Sequence, residues 1–415
     1  MTVARDIADV IEHHIGGEIP VHLTAWDGSV VGPDNAPHVA IYSADALRRV
    51  IWHPGELGAA QAYVTGELDV VDDLDDALTH VWEVAAARGL SGIRPSPRVL
   101  SDVARLALRY RLLGLPKAPP ASQARVRGRL HSRARDRAAI SHHYDLSNDF
   151  YELILDEHMA YSSAYWTSDN PEYTLADAQA DKLDRVCRKV GLDSAAGQRF
   201  LDIGCGWGSL SLYAAEYFDA RVVGVTISRE QKAFIDERIA QRGLADRVEI
   251  RVQDYREIPD PPFDAVASLE MGEHVGEQNY ATYAQVLRDK VIPGGCVCIQ
   301  QMSRPEGKHP GGGPFIESFI APDMYMRPVD RTVQYLTDAG LRVDDVEEMA
   351  EHYVRTVDVW YDTFEKNWAR AVDLVGDEMA RVWRLYLVGG RMAFRDGRMG
   401  VEQITATRPA SPVLA

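Results

Sequence analysis

The chain has 415 residues, of which 46% are hydrophobic and 26% are charged, which is enough for two domains with buried cores. The formal net charge of −17 argues against a general nucleic-acid-binding surface. The sequence contains no run of about 18 apolar residues, so we expect no membrane-spanning helix. The four cysteines have the spacing of neither a zinc site nor a disulfide framework, so we expect reduced thiols and no metal.

The first 93 residues have the pattern of a small α/β unit, in which residues 54–70 resemble a helix between turns. Residues 98–113 place apolar side chains at helical spacing among arginines, which predicts an amphipathic basic helix. Acids in the first residues, MTVARDIADVIEHH, indicate a cytoplasmic protein without a secretion signal. We expect an N-terminal domain over residues 1–120, a basic linker over 121–140 and a second domain over 141–415.

Residues 94–137 form a basic belt with twelve lysines or arginines and two acids. Its net charge is +10, so the rest of the chain carries −27. One interpretation is that the belt docks on an anionic phospholipid surface. The other is that its arginines pair with acidic neighbours in a solvated linker, and the sequence favours neither.

Short apolar runs alternate with helical patterns after residue 140, which predicts a parallel sheet covered by helices on both faces. Five runs have the character of strands: RFLDIGC (199–205), RVVGVTI (221–227), RVEIRVQ (247–253), DAVASLE (264–270) and CVCIQQM (296–302).

The strongest motif is LDIGCGWG (201–208), in which a strand delivers an acid into a glycine loop. Such a loop by itself also suits a dinucleotide or a tight turn without a ligand. The next strand ends without the acid that a dinucleotide site requires, and Thr226, Gln231 and Asp254 follow instead. Together with Asp202, Gly204 and Gly206, these residues predict a polar clamp for the ribose and amino acid of S-adenosylmethionine.

The same part of the chain resembles the cyclopropane-fatty-acyl-phospholipid synthase family, which includes the mycolic acid cyclopropane synthases. The matching strings are HHYDLSNDFYELIL (142–155), HMAYSSAYW (158–166), LDIGCGWGSL (201–210), GVTISREQ (224–231), QDYRE (253–257) and EMGEHVG (270–276), with fainter matches at 313–322 and 352–364. The resemblance implies a Rossmann-like class I methyltransferase domain preceded by a smaller α/β lipid-contacting domain. It also adds Tyr161 and Ser162 to the donor site.

In that family an alkene attacks the sulfonium methyl group, and a base then removes a proton from the resulting cation. The resemblance implies that a bound bicarbonate is this base, held by a Cys, a Glu, a His, a Tyr and a backbone amide. The Glu is Glu273, the Tyr is Tyr353 and the amide is that of Met302, but Ser163 and Gln300 replace the Cys and the His. Either the anion is then held differently, or the base is another group such as Glu273 or a tyrosine. A base at another position would remove a different proton from the cation.

Three further assignments depend on position. Phe315, Phe319 and Met324 are expected to line an acyl tunnel, and plain core packing is an equal alternative. Glu270 is expected to cap the sheet or face solvent rather than act beside Glu273. His142, His143 and His274 are expected to be structural.

The sequence therefore predicts an S-adenosylmethionine-dependent enzyme that adds one carbon to the cis double bond of an unsaturated phospholipid acyl chain, giving a cyclopropane or a methylene branch. It would act at the inner membrane surface, with a homodimer and a downstream reductase as further expected partners. A small-molecule methyltransferase and an inactive lipid-binding homologue are the alternatives.

Overall fold

The computed structural model describes residues 2–90, 96–124, 135 and 147–410. The chain forms two compact units, of which the first is Met1–Gln123 with Val375–Val388 and the second is Ala124–Leu374 with Gly389–Ala415. The sequence had placed residues 375–388 in the C-terminal domain. They belong to the first unit because Arg381 donates a hydrogen bond to Asp69 at 3.0 Å and contacts the carbonyl of Tyr63.

The first unit combines a small sheet, of strand order β2-β1-β3-β4, with five helices among its described N-terminal residues. Apolar side chains of α1, including Val3 and Ile7, pack with Leu23, Ile41 and Leu106 to form its core. The predicted helices at 54–70 and 98–113 are confirmed as α3 and α5. The elements are α1 (Val3–Ile15), β1 (His22–Thr24), β2 (Val30–Val31), β3 (His38–Ile41), α2 (Ala44–Trp52), α3 (Glu56–Val64), β4 (Leu68–Val70), α4 (Leu74–Ala87) and α5 (Pro97–Arg109).

The second unit is built on a seven-stranded sheet of order β10-β11-β9-β8-β5-β6-β7. From Asn148 onward the elements of the chain are α6 (Asn148–Ile154), α7 (Leu175–Lys189), β5 (Arg199–Ile203), α8 (Ser209–Tyr217), β6 (Arg221–Thr226), α9 (Arg229–Arg242), β7 (Val248–Val252), β8 (Phe263–Leu269), α10 (Glu277–Lys290), β9 (Val291–Ser303), α11 (Pro314–Phe319), α12 (Val329–Asp338), β10 (Arg342–Glu348), α13 (Ala350–Lys366), α14 (Trp368–Val375), α15 (Asp377–Arg395) and β11 (Gly400–Thr407). Helix α15 begins in the first unit and ends in the second.

All five predicted strands form the parallel part of this sheet, β5 to β9. Consecutive side chains of β5 enter opposite cores, because Phe200 packs in one apolar cluster and Leu201 in the other. Strands β10 and β11 were missed, and both are antiparallel additions at one edge. Their sequences carry acids and glutamines in place of an apolar run.

The order of the strands creates the position for a site. Strand β5 lies between β6, which follows it in sequence, and β8, which is reached only after β7. The chain therefore leaves β5 on one side and returns on the other. In open parallel sheets the carboxyl ends of the strands at such a reversal border a ligand crevice.

The basic belt lies partly outside the described residues, including Arg125, Arg127 and Arg129. Where it is described, Arg109 pairs with Asp6 at 2.6 Å, and Lys117 pairs with Asp45 at 2.6 Å. Arg105 likewise pairs with Asp102, and Arg135 with Asp323. These pairs support the interpretation of neutralised arginines for this part of the belt.

All four cysteines are free. Among the described residues, no helix has both the length and the apolar character that a membrane crossing requires.

Candidate active site

The carboxyl ends of β5 to β8 surround a cavity of about 660 Å³. All eight residues predicted for the methyl donor line it: Tyr161, Ser162, Asp202, Gly204, Gly206, Thr226, Gln231 and Asp254. Apolar side chains such as Ile203, Val225 and Leu269 complete the wall. This mixture fits a nucleoside that carries an amino acid and a sulfonium, because it supplies polar ends and an apolar slot.

The glycine loop brings the backbone close to this cavity. Gly204 has a φ of +79°, and a Cβ there would lie 2.9 Å from Cγ of Met271. Gly208 has a φ of +83°, and a Cβ would meet Ile235 at 2.8 Å. Both positions therefore require glycine for conformation and for space.

Polar side chains at the strand ends are fixed by their own hydrogen bonds. Asp202 is buried and accepts a hydrogen bond from Oγ of Ser211 at 2.7 Å. Burial raises the pKa of Asp202 to about 6. Thr226 donates to Oε1 of Gln231 at 2.6 Å, so the two predicted clamp residues contact each other.

Asp254 follows β7 and pairs with Arg256 at 2.6 Å. It also accepts a hydrogen bond from the backbone amide of Arg256, which starts a short 3-10 turn over Tyr255–Glu257. Its carboxylate is therefore held in one orientation at the rim of the cavity.

The carboxylate of Glu270 is the centre of a hydrogen-bonded cluster at the cavity. It accepts hydrogen bonds from the backbone amide of Ser163, from Nε2 of Gln300 and from the hydroxyl of Tyr353, each at 2.8 Å. Glu270 follows β8 directly and lines the cavity. The expectation that it caps the sheet or faces solvent was wrong, because three donors converge on its carboxylate.

Glu273 follows three residues later, in a short 3-10 turn over Gly272–His274, and is buried. Burial and then the charge of Glu270 raise the pKa of Glu273 to about 8, against the opposing effects of Arg327 and of backbone groups of Glu273 and Met302. Among the described residues, none hydrogen-bonds its Oε2 atom. The sequence placed Tyr353, Ser163 and Gln300 around Glu273, whereas the structure gathers them around Glu270.

Ser163 takes part through its backbone rather than its side chain. Its hydroxyl donates to the carbonyl of Ala164 at 3.0 Å. The sequence did not single out the two α7 side chains that hold this segment: Nε2 of Gln179 donates to the carbonyl of Ser162 at 2.9 Å, and Nζ of Lys182 donates to its Oγ at 2.8 Å. Burial lowers the pKa of Lys182 to about 8, although the charges of Glu270, Asp156 and Asp202 oppose this.

The ring of Tyr353, whose hydroxyl donates to Glu270, belongs to a group of aromatic rings near the cavity. Tyr353 stacks on Phe394 at 4.5 Å between ring centroids, and Tyr161 lies 5.4 Å from Trp360. Tyr161 belongs to the cavity wall, while Tyr353 and Trp360 are buried behind it. A carboxylate beside π-rich faces is an environment that stabilises a positive charge.

The three residues predicted to contact the acyl chain lie between positions 315 and 324 of the second unit. Phe315 and Phe319 are buried against each other, with ring centroids 5.5 Å apart, and Met324 is partly exposed. None of these three lines the 660 Å³ cavity. His274 does line it, whereas His142 and His143 lie outside the described residues.

Known proteins share both the sequence and the fold. The profile of the family described as mycolic acid cyclopropane synthetase matches residues 131–404. A probable fatty acid methyltransferase of Pseudomonas putida is 35% identical over 399 residues, which cover 94% of this chain and 92% of that protein. The cyclopropane-fatty-acyl-phospholipid synthase of Escherichia coli (strain K12) is 32% identical over 387 residues, covering 93% and 92%.

A solved structure of mycolic acid cyclopropane synthase CmaA1, complexed with SAH and CTAB, has a TM-score of 0.61 and 29% identity, and the likeness covers 65% of this chain and 98% of that one. The fold is accordingly that of class I methyltransferases. The cavity, its glycine loop and these relatives agree on S-adenosylmethionine as the cofactor. The chain therefore belongs to the mycolic acid cyclopropane synthetase family and is an S-adenosylmethionine-dependent methyltransferase.

Proposed function

We propose that the enzyme adds a one-carbon unit to the cis double bond of an unsaturated fatty acyl chain in a phospholipid, giving a cyclopropane or a methylene-branched chain. The observation that carries the proposal is the carboxylate of Glu270, which lines the donor cavity beside aromatic rings. An alkene has no proton to lose before it attacks a methyl group. The reaction therefore needs no base at that stage, but it needs negative and π-rich groups for the cation that follows.

The names of the relatives support a lipid substrate. The proteins from Pseudomonas putida and Escherichia coli are named as a probable fatty acid methyltransferase and a cyclopropane-fatty-acyl-phospholipid synthase. A further relative from Mycobacterium tuberculosis (strain ATCC 25618 / H37Rv), 33% identical over 421 residues, is named a tuberculostearic acid methyltransferase. These names favour an acyl chain as the substrate. They do not distinguish a cyclopropane product from a methylene-branched one, which depends on the geometry of the site.

The residues at the cavity divide the work. When bound, S-adenosylmethionine supplies an electrophilic methyl group. The donor is oriented by polar side chains that line the cavity near the strand ends, those of Asp202, Thr226, Gln231 and Asp254. The buried rings of Trp360 and Tyr353 exclude water, which would otherwise trap a cation on the acyl chain.

The first unit provides a surface for the membrane. Four leucines on and after α5 are exposed: Leu100 (57%), Leu108 (69%), Leu113 (62%) and Leu115 (87%). Trp52 and Trp82 of the same unit are also about half exposed. Exposed leucines and tryptophans close to arginines are typical of surfaces that insert at a lipid interface. The proposed location is therefore peripheral, at the inner membrane surface.

The proposal is tested by supplying the purified protein with S-adenosylmethionine and vesicles that contain one defined cis-monounsaturated acyl chain. The matched control is vesicles with the same head group and fully saturated chains. We expect the released unsaturated acids to gain one CH2 and the saturated acids to stay unchanged. Methylation of soluble amines without any change in the lipids would contradict the proposal and favour a small-molecule methyltransferase.

A further inference from the structure

Three hydrogen bonds run toward the carboxylate of Glu270. The backbone amide of Ser163 and Nε2 of Gln300 donate to Oε1, and the hydroxyl of Tyr353 donates to Oε2. The resemblance assigns these three positions to a bound bicarbonate. In this chain a side-chain carboxylate already accepts their hydrogen bonds.

A relay of hydrogen bonds fixes the direction of the Gln300 amide. Nζ of Lys189 donates to Oε1 of Gln403 at 3.0 Å, and Nε2 of Gln403 donates to Oε1 of Gln300 at 3.0 Å. An ammonium group can only donate, so each amide in the chain must present its oxygen toward Lys189 and its NH2 away from it. The NH2 of Gln300 therefore faces Glu270, where it requires an acceptor.

The backbone is bent to place this carboxylate. Glu270 has a φ of +51°, in the left-handed region that L-residues with a side chain rarely adopt, and its amide donates to the carbonyl of Gln300 at 2.6 Å. Such a conformation costs about 1–3 kcal/mol and persists where the surrounding structure imposes it, most often at functional sites. A glycine at this position would relieve the strain and remove the carboxylate.

We propose that Glu270 is the built-in base of the reaction and replaces bicarbonate, so that this enzyme turns over without an external anion. The inference rests on the proposed function, because it names the group that receives the proton in that reaction. A free bicarbonate does not fit beside Glu270, since its donors are occupied and a second negative charge would lie against the first.

The proton balance of the step is complete. One alkene carbon bonds to the donor methyl group as the sulfur–methyl bond breaks, and that bond's electron pair stays on sulfur. The neighbouring carbon becomes positively charged. A proton then passes from the transferred methyl group to Glu270, and the electrons of the broken C–H bond either close the ring or, after a hydride shift, form the methylene double bond.

The direct test measures binding of carbon-14-labelled bicarbonate by equilibrium dialysis, which does not depend on turnover. Wild-type protein should bind none, and Glu270→Gly should bind it because the three donors have then lost the carboxylate that accepts their hydrogen bonds. Stoichiometric binding by the wild type, or none by Glu270→Gly in a folded protein that still binds S-adenosylmethionine, would overturn the inference.

Turnover provides the second test. Wild-type rates should be equal in carbonate-depleted buffer and with added bicarbonate. Glu270→Gln fills the same space without a base and should lose about 10²- to 10⁴-fold in kcat with no rescue. Glu270→Gly should lose activity and regain part of it on addition of bicarbonate or formate.

Glu402→Gln is the matched control, because Glu402 is also a buried glutamate but lies outside the donor cavity, where it accepts a hydrogen bond from Ser303 at 2.8 Å. Its kcat should equal that of the wild type. A wild type that modifies no lipid overturns the proposed function. A wild type that modifies lipid only with bicarbonate present, or a Glu270→Gln variant that retains kcat, overturns this inference alone.

Discussion

At the scale of single residues, the site depends on a few positions whose backbone and side chain are both constrained. Gly204 is the clearest, because its positive φ and the 2.9 Å approach of Met271 leave no room for a Cβ. Glu270 shows the opposite case, in which a side chain is kept despite an unfavourable φ. Both residues follow directly from strands that end at the cavity.

The first prediction concerns donor affinity. Gly204→Val should weaken binding of S-adenosylmethionine by about 10- to 100-fold, because strain of about 1–3 kcal/mol must be relieved by moving the loop. Isothermal titration calorimetry measures the change. Gly191→Val is the control, since Gly191 has a φ of +80° with nothing within 4 Å of a Cβ and lies outside the cavity. Equal affinities of wild type and Gly204→Val would exclude the glycine loop from the donor site.

The second prediction concerns the pH dependence of stability. Glu273 has a folded pKa of about 8 against an ordinary value of 4.5, so the native state holds a proton there that the unfolded state has lost. The contribution of this group to stability is therefore complete below about pH 4.5 and is lost as the pH rises toward 8. The groups that act on Glu273 are Glu270, Arg327 and the backbone of Met302.

Glu273→Gln removes this proton uptake. The variant should gain stability relative to the wild type as the pH rises from about 5 to 8, measured by thermal melting at each pH. Lys182 titrates near pH 8 with the opposite sign, so the comparison stays below that pH. A stability difference that does not change with pH would show that Glu273 is ionised throughout.

The sequence predicted the lining of the cavity well and the hydrogen bonds of Glu270 less well. Six of the eight predicted lining residues lie at or soon after the ends of β5, β6 and β7, so their positions depend on local order along the chain, whereas Tyr161 and Ser162 came from the family resemblance. The hydrogen bonds of Glu270 join residues 163, 270, 300 and 353, which are distant in sequence, and motif spacing carries no information on which of two nearby glutamates they meet. The position of Glu270 directly after β8 was the available signal.

At the scale of elements, α7 and β10 together hold the segment that contributes Ser163. Glu347 of β10 accepts hydrogen bonds from Arg185 at 2.6 Å and Lys189 at 2.7 Å, and also from the hydroxyl of Tyr165. Burial raises the pKa of Glu347, but these donors outweigh it and lower the pKa to about 2. The cluster joins an edge strand to the helix that fixes residues 160–163.

The third prediction follows from this cluster. Glu347→Gln should lower the free energy of unfolding by about 1 kcal/mol at neutral pH, because the group is partly screened by solvent. The stabilising effect of Glu347 is present above about pH 4.5 and is lost as the pH falls toward 2. The difference in unfolding free energy between wild type and variant should therefore disappear at acidic pH. Urea unfolding at both pH values measures it.

Glu249→Gln is the matched control, since Glu249 pairs with Arg251 on β7 but is 61% exposed. It should change stability by less than about 0.5 kcal/mol. A Glu347→Gln variant as stable as this control would mean that the cluster does not anchor α7.

The two strands that the sequence missed are also explained at this scale. Strand β10, RVDDVEE, is an edge strand whose side chains are mostly exposed, and an exposed edge needs no apolar run. Strand β11 is buried but carries glutamate, glutamine and threonine, because Gln403 and Glu402 form hydrogen bonds with Gln300 and Ser303 of β9. Their identity as strands depends on partners that lie far along the chain.

At the scale of the whole molecule, we propose a different task for each of the two units. The second unit contains the cavity and the buried side chains of Glu270 and Glu273 beside it. Most of the large exposed apolar side chains among the described residues belong to the first unit. The enzyme is thus proposed to pair a catalytic unit with a surface that meets the lipid.

The fourth prediction tests that surface. Replacing both Leu108 and Leu115 by serine should weaken binding to phospholipid vesicles by about 1 kcal/mol for each leucine, which is about fivefold for one and about 30-fold for both. Co-sedimentation with vesicles measures the change, and the affinity for S-adenosylmethionine should remain the same. Tyr217→Ser, a change at a 63% exposed aromatic of the second unit, is the control. If all variants bind the vesicles equally well, the region on and after α5 is not the lipid-facing surface.

The central claim is that one carbon is transferred to an acyl chain and loses one of its protons to a base in the site. The most direct measurement uses S-adenosylmethionine with a fully deuterated methyl group, unsaturated phospholipid vesicles and mass spectrometry of the released fatty acids. The account predicts acyl chains that gain CD2, because both a ring and a methylene branch require loss of one deuteron from the transferred methyl group. Retention of all three deuterons, or label found only outside the acyl chains, would contradict it.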